Sequence, residues 1–360
     1  MKLNITVMPG DGVGPEVTTE AVKSLQAVCN AFGHELATRE CLIGGIALDR
    51  TGEPFPEESV QACLSSDAVL LGAVGGPKYD RNPRGSKPED GLLALRRVLG
   101  AFANLRPVRV FVQAADASPL KLDVVKGTDL IIVRELLAGA YYGTPRGIEG
   151  SPGSPWRGFN TISYTVAEIE RVARIAFDLA LNRRRKVTSV DKANVLEVSE
   201  LWRKVVERVA QDYPQVELEH QLVDSCAMEL IRNPRRFDVL LTENMFGDIL
   251  SDEASVLAGS IGFLASASVG SKIGLYEPIH GSAPDIAGTG KANPLGTIAS
   301  VALMLRYSFK LEAEARTIED AIDRALERGL RTADLARAGR SATTSEMGNA
   351  VADAITSSRR

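Results

Sequence analysis

Histidine is the scarcest residue with catalytic or ligating chemistry in this sequence: three in 360 positions, at 34, 220 and 280. A metal site built from several imidazoles is therefore nearly excluded, and any bound metal would take oxygen ligands. Cysteine is almost as rare. Cys29, Cys41, Cys63 and Cys226 lie far apart with no C-x-x-C pair, which argues for scattered reduced thiols and against a zinc ribbon or a disulfide framework. No apolar run is long enough to span a bilayer, and the N-terminus lacks a basic region followed by an apolar core. The expected location is the cytoplasm. An excess of one charge is missing too. Forty-two Lys and Arg against 46 Asp and Glu give a net charge of −4, so nothing draws the chain to nucleic acid or to an anionic membrane. Internal repeats and low-complexity tails are also lacking.

What is present is alternation. "LNITVM" reads as a strand, and "EVTTEAVKSLQAVCNAF" as a helix with Val17, Ala21, Leu25 and Val28 at helical spacing. "SSDAVLLGAVGGP" is an apolar strand ending in glycines, and "GLLALRRVLGAFANL" is helical. "VRVFVQ" and "TDLIIVREL" are strand-like. In the second half, "KVTSV", "VELEHQLV" and "FDVLLT" read as strands between "SELWRKVVERVAQDY", "MELIRN" and a charged helix, "TIEDAIDRALERGL". "TVAE" is a capping box opening a helix with Val166, Ile169, Val172, Ala176 and Phe177 on one face. The stretch 258–290 carries few helical signals. This alternation indicates an α/β fold with a largely parallel sheet, and 360 residues suggest two domains or one large one. "YYGTPRGIEGSPGSPWRGFN" is too long and too rich in Gly, Pro and Ser for an ordinary connection. It is a functional loop, a linker or an arm reaching another subunit.

The opening "GDGVGP" imitates a dinucleotide-binding turn. Its glycines fall at 10, 12 and 14, but the position of the third fingerprint glycine is Pro15. Proline cannot permit the close helix–strand approach that this glycine provides, and it suits the first turn of a helix. A tight strand–helix turn is the better reading.

Three strands end in polar groups: "KVTSV" at Asp191 and Lys192, "HQLV" at Asp224, and "FDVLLT" just before Asp248 and Asp252. Ligands of open α/β sheets bind beyond such ends. Asp248 and Asp252 are four apart and share a helix face. With Asp224 they would form the three-carboxylate set that suits Mg²⁺ or Mn²⁺. Acids in a first helical turn also compensate the helix dipole, so spacing alone leaves both readings open. Lys192, a base beside such a site, adds a chemical purpose. In "GLLALRRVLGAFANLRP", Leu92, Leu95, Leu99 and Phe102 form an apolar stripe, Arg96 lies on the side of Leu92, and Arg97 points to solvent. Arg96, Arg106 and Arg134 are either ordinary surface arginines or a cluster of guanidinium forks that grip carboxylates.

Together, "GDGVGPE", "ANLRP", "VRELLAGAYYG", "DKANVL", "NMFGDILSDEAS" and "EPIHGSAPDIAG…ANP" resemble, in order and almost end to end, the motifs of the isocitrate/isopropylmalate family of β-decarboxylating dehydrogenases. The resemblance is strongest to the members that act on 3-isopropylmalate in leucine biosynthesis. It implies two α/β domains sharing a large mixed sheet, not a Rossmann fold, with an intersubunit β-arm. A discontinuous cofactor-side domain (1–101 plus 259–360) would sit beside a substrate, metal and dimerisation domain (102–258), with the arm at about 137–165. Arg96, Arg106 and Arg134 would bind the substrate carboxylates, and Asp224 would contact both substrate and metal. Asp224, Asp248 and Asp252 would hold Mg²⁺ or Mn²⁺. Lys192 would act as base for the 2-hydroxyl, its ammonium pKa depressed by the metal and the arginines, and Tyr141 as acid for the enol. Lys192 and Asp224 would come from the partner of an obligate homodimer.

The resemblance also places NAD⁺ against Gly76, Pro77 and Glu89 and against His280, Gly281, Ser282, Ala283, Pro284, Asp285, Ile286 and Asn293. Asp285 at the ribose would repel a 2′-phosphate. A plain helix start after a glycine turn would explain Ser282 and Asp285 but not His280 or Asn293. Leu92 and Leu93 would meet the isopropyl group, an apolar contact worth roughly 1.5–3 kcal/mol. The expected reaction is NAD-dependent, metal-dependent oxidative decarboxylation of (2R,3S)-3-isopropylmalate to 4-methyl-2-oxopentanoate and CO₂. The alternatives are the same chemistry on D-malate, tartrate or another 3-substituted malate, or a non-catalytic regulatory homologue. The last would have lost the lysine, the tyrosine or the aspartates, all of which are present. Three departures from the family pattern stand out: Glu243 in place of a small residue, and Ala140 and Tyr142 where Ile and Phe are commoner.

Overall fold

The computed structural model describes residues 1–151, 154–270, 272–336 and 339–357. Its strands are β1 (Lys2–Gly10), β2 (Glu35–Glu40), β3 (Ala68–Ala73), β4 (Ala103–Arg109), β5 (Asp129–Glu135), β6 (Gly147–Glu149), β7 (Arg157–Phe159), β8 (Lys186–Asp191), β9 (Glu217–Leu222), β10 (Val239–Thr242), β11 (Ala265–Val269) and β12 (Gly274–Pro278). The helices are α1 (Gly14–Phe32), α2 (Gly45–Thr51), α3 (Glu57–Leu64), α4 (Pro88–Leu99), α5 (Leu122–Val125), α6 (Val166–Leu181), α7 (Glu197–Ala210), α8 (Val223–Arg232), α9 (Asn244–Ala258), α10 (Leu295–Tyr307), α11 (Glu312–Glu327) and α12 (Thr344–Ser357).

Ten strands form one mixed sheet in the order β2-β1-β3-β12-β11-β4-β5-β10-β8-β9. Both flanks are parallel, whereas β12–β11, β11–β4 and β4–β5 are antiparallel. The alternating reading therefore holds at the flanks, and the large mixed sheet expected from the resemblance is present. Helices cover both faces, so the inner strands bury both sides. On β5 every residue after Asp129 is buried, which is why "LIIVRE" is apolar almost throughout rather than alternating.

Several elements differ from the sequence reading. The helical reading extends through "ANL", but these residues open β4, because Gly100 takes φ 60° and its amide bonds back to Arg97 O, ending α4. "VRVFVQ" is a strand only as far as Arg109 and then turns into a 3₁₀ segment from Val112. The Thr165–Glu168 capping box is made in both directions, but Val166 is exposed while Ile169, Val172, Ala176 and Phe177 are buried. Asp224 lies in the first turn of α8 rather than on a strand end. The Gly/Pro-rich segment contains an antiparallel hairpin, β6–β7, which exposes Ile148 and Trp156.

Candidate active site

The opening turn is a strand–helix turn, and it has a second task. Both oxygens of Asp11 accept backbone amides: Oδ2 from Gly45 (2.7 Å) and Gly75 (2.8 Å), and Oδ1 from Ile46 (2.8 Å). Val13 N donates to Ser282 O at 2.8 Å. A Cβ on Gly12, which sits at φ 59°, would fall 1.9 Å from that same oxygen, so only glycine fits. Glu16 accepts the amides of Gly288 and Gly290. "GDGVGPE" thus ties the loop 281–290 to the loops after β2 and β3.

Between these loops lies a cavity of about 870 Å³ bordered by Gly10, Asp11, Gly12, Gly76, Pro77 and Pro284. Glu89, from α4, lies beside Gly75 on its border. A Cβ on Gly75 would lie 2.8 Å from Glu89 Oε1 and 3.9 Å from Ser282 Oγ. His280 bonds through Nδ1 to Gly281 O at 2.9 Å. Burial holds its pKa down, so the ring is neutral and Nδ1–H is the donor. Its Nε2 is buried with no partner among the described residues, an unused acceptor of the kind an adenine amino group would satisfy. Asp285 is exposed, and Ile286 packs with Ala283 against Val13, Val17 and Ala292. Asn293 is committed to the fold: Nδ2 donates to Asp334 (3.0 Å) and Oδ1 accepts Leu295 N (3.0 Å) at the start of α10.

The charged cluster forms where β4, β5 and α9 meet. Arg134 is 2% exposed. Its Nη1 donates to Asp248 Oδ1 at 2.6 Å. Its Nε and Nη2 are held by Asn244, through the backbone oxygen at 2.8 Å and Oδ1 at 3.1 and 2.7 Å. Tyr141 donates its hydroxyl to Asp248 Oδ2 at 2.7 Å, and its ring lies 5.5 Å below the Arg134 guanidinium. Arg106 is anchored by Asn104 Oδ1 (2.6 Å) and Ser251 Oγ (2.5 Å). Its Nη1 lies 3.5 Å from Asp248 and 3.6 Å from Asp252, so both carboxylates face one point. Arg96 is buried and paired with Glu277 at 2.9 Å, with its Nε unpartnered among the described residues.

Burial and the close charges of the cluster perturb one another. Burial, then the Arg134 charge, push the Arg106 guanidinium down to about 10. Burial also lowers Arg134. Burial alone would raise Asp248, but Arg134 and Arg106 hold its carboxyl below the ordinary range. Burial raises Asp252. Burial and the bond to Asp248 push the Tyr141 phenol up to about 12, so it keeps its proton at neutral pH. Three buried guanidiniums gathered with Asp248, Asp252 and Glu277 form a cluster of perturbed charges of the kind that marks a functional site.

Leu92 and Leu93 are half-buried on α4, and Leu92 packs on the cluster around Leu95, Leu99 and Met8. Arg97 is exposed as expected, and its guanidinium lies 5.3 Å over the Tyr142 ring.

Lys192 and Asp224 stand apart from this cluster within one chain. Lys192 Nζ bonds Asp224 Oδ1 at 2.9 Å at the ends of the neighbouring strands β8 and β9. Among the described residues no three His, Cys, Asp or Glu side chains converge as a metal site. One chain therefore assembles two of the three carboxylates and leaves the lysine elsewhere. Sequence reasoning missed Asn244, Tyr164 and Glu277, which hold Arg134 and Arg96. None has a spacing that signals its partner. Only the placement of Asn244 beside Glu243 at the head of α9 hinted at a role.

The model of the isocitrate/isopropylmalate dehydrogenase family matches residues 4–351. The chain is 57% identical over 99% of both chains to a 3-isopropylmalate dehydrogenase of Halalkalibacterium halodurans. It is 54% identical over 98% of both to one of Wolinella succinogenes. Among solved structures it is similar to an isocitrate dehydrogenase from Methylococcus capsulatus (TM-score 0.89, 33% identity, covering 98% of this chain and 99% of that one). It is also similar to a β-decarboxylating dehydrogenase from Thermococcus kodakarensis (TM-score 0.80, 36% identity, covering 99% and 96%). Fold, motif order and full-length similarity agree: the chain belongs to the isocitrate/isopropylmalate dehydrogenase family.

Proposed function

We propose that this chain catalyses the NAD-dependent, divalent-metal-dependent oxidative decarboxylation of (2R,3S)-3-isopropylmalate to 4-methyl-2-oxopentanoate and CO₂ in leucine biosynthesis. The observation that carries the reading is the convergence of Arg106, Arg134 and Tyr141 on Asp248 in a chain more than half identical to 3-isopropylmalate dehydrogenases over its full length.

Arg96, Arg106 and Arg134 bind the two carboxylates of the substrate, and Leu92 and Leu93 meet its isopropyl group. Asp248 and Asp252, facing one point across Arg106, supply hard oxygen ligands suited to Mg²⁺ or Mn²⁺. Asp224 of the partner subunit completes the set. When bound, the divalent ion supplies Lewis acidity at the hydroxyl and carbonyl oxygen, and NAD⁺ accepts the hydride. The partner subunit's Lys192 takes the proton of the 2-hydroxyl. Tyr141, protonated far above neutral pH, delivers a proton to the carbon that loses CO₂. Gly76, Pro77 and Glu89 would hold the cofactor on the nicotinamide side, and His280 to Ile286, with the exposed Asp285, would hold the adenosine and its ribose.

The active species is a homodimer. α8 and α9 pack on each other and expose Met228, Ile249 and Val256, an apolar strip that a second copy would cover, and the β6–β7 hairpin is its arm. Residues 1–101 with 259–360 form the cofactor side and 102–258 the substrate side of a cytoplasmic enzyme.

A panel of 3-isopropylmalate, D-malate, tartrate and isocitrate, each with NAD⁺ or NADP⁺ and with or without EDTA, tests this by NADH absorbance. Fastest turnover of 3-isopropylmalate with NAD⁺, abolished by EDTA, is expected. Preference for D-malate, or no turnover of any substrate, would overturn it.

A further inference from the structure

Glu243 lies next to the charged cluster, and the structure gives it two partners. It follows β10 and is 8% exposed. Oε1 accepts Phe246 N at 2.7 Å, capping the helix that carries Asp248 and Asp252. Oε2 accepts the Tyr164 hydroxyl at 3.0 Å, and that hydroxyl accepts Asn244 N at 2.9 Å. Asn244 fixes the Arg134 guanidinium, and its Nδ2 donates to Ala138 O (3.0 Å) in the segment leading to Tyr141. Tyr164 is held edge-on to Trp202 at 5.5 Å. A Cβ on Gly139 would lie 2.3 Å from the Tyr164 oxygen, so the Tyr141 segment is moulded to that hydroxyl.

We infer that Glu243 is a positioning residue, acting through Tyr164 and Asn244 to set the orientation of Arg134, Asp248 and Tyr141. With its proton committed to Glu243, the phenol offers its lone pair to Asn244 N, and the head of α9 takes one register against β5. A small residue at 243 could cap α9 but could not direct the Tyr164 proton. The inference rests on the proposed reaction for its kinetic readout only.

Glu243→Gln separates the two tasks. Its carbonyl still caps α9, while its amide turns a donor toward Tyr164 and breaks the relay. Partners behind a metal site typically contribute about 10-fold or more in activity or affinity. Glu243→Gln and Tyr164→Phe should therefore each lower kcat and weaken Mn²⁺ binding, measured calorimetrically with Mn²⁺ alone, by roughly 10-fold. KM for NAD⁺ should not change. The double variant should fall no further than either single one, since the two act in series. Thermal melting of Glu243→Gln should stay near that of the native dimer. Additive losses, or a Mn²⁺ affinity unchanged in Glu243→Gln, would overturn the relay. If the native protein turned over no substrate, the proposed function would fall, and the Mn²⁺ titrations of the three variants would still decide the role of Glu243.

Discussion

Replacing Glu135 with glutamine should remove a pH-dependent loss of stability that the native chain carries. Glu135 ends β5 and is 0% exposed. Its carboxylate accepts the amides of Leu137 (3.1 Å) and Ala138 (2.9 Å) and an Arg171 guanidinium proton (3.1 Å), which braces the segment before Tyr141. Burial outweighs these bonds and raises the carboxyl from 4.5 to about 7. The sign is the reverse of the usual carboxylate case. Between those two values the folded chain holds a proton that the unfolded chain has lost, so stability falls as pH rises through that window. The gap corresponds to about 3 kcal/mol, at about 1.4 kcal/mol per pKa unit. Glutamine keeps the shape and one acceptor but has no proton to lose. In urea unfolding followed by tryptophan fluorescence at fixed protein concentration, the native chain should lose about 2–3 kcal/mol more than Glu135→Gln between about pH 5 and about pH 8. Every other ionisable group is common to both proteins and cancels in the difference. Parallel pH profiles for the two proteins would refute the reasoning.

Other perturbations test the site. Lys192→Met should reduce single-turnover NADH formation by at least about 100-fold without shifting the melting temperature, since Lys192 is partly solvent-accessible and its ion pair is with the exposed Asp224; normal turnover would remove it as the base. Asp285→Lys should raise the kcat/KM ratio of NADP⁺ to NAD⁺ by more than about 10-fold by exchanging repulsion of a 2′-phosphate for attraction, and an unchanged ratio would displace the ribose from that loop. Ile249→Glu places a charge in the exposed apolar strip of α9, where Ile249 is 59% exposed. Light scattering should report monomers, and activity should fall with the dimer; an active monomer would contradict the shared site.

What was legible in the sequence follows the physics of each element. The flanking βα units declared themselves because one-sided burial writes a period into α1, α6 and α7. α10 was invisible for the opposite reason: Leu295 to Leu305 is buried on nearly every side, so its apolar residues follow no period. β11 and β12 hid in a Gly/Ala/Ser stretch whose small residues suit tight packing rather than a strand propensity. The candidate ligands could be named from motifs, but not their grouping. Asp224 looked like a companion of Asp248 because both follow strands, yet β9 lies at the sheet edge, two strands from β10. Charge-neutral organisers such as Asn244 and Tyr164 leave no trace in spacing, because their partners lie about 80 to 110 positions away along the chain.

The clasp formed by Val13 and Glu16 on the loop 281–290 has a consequence for biosynthesis. Val13 and Glu16 must wait for residues 282 to 290 before their partners exist, and β3 cannot pair with β12 until residue 274 has emerged. A nascent chain stalled short of that point exposes the edge of β3. Protease sensitivity in such stalled chains should disappear abruptly once residue 290 has cleared the ribosome.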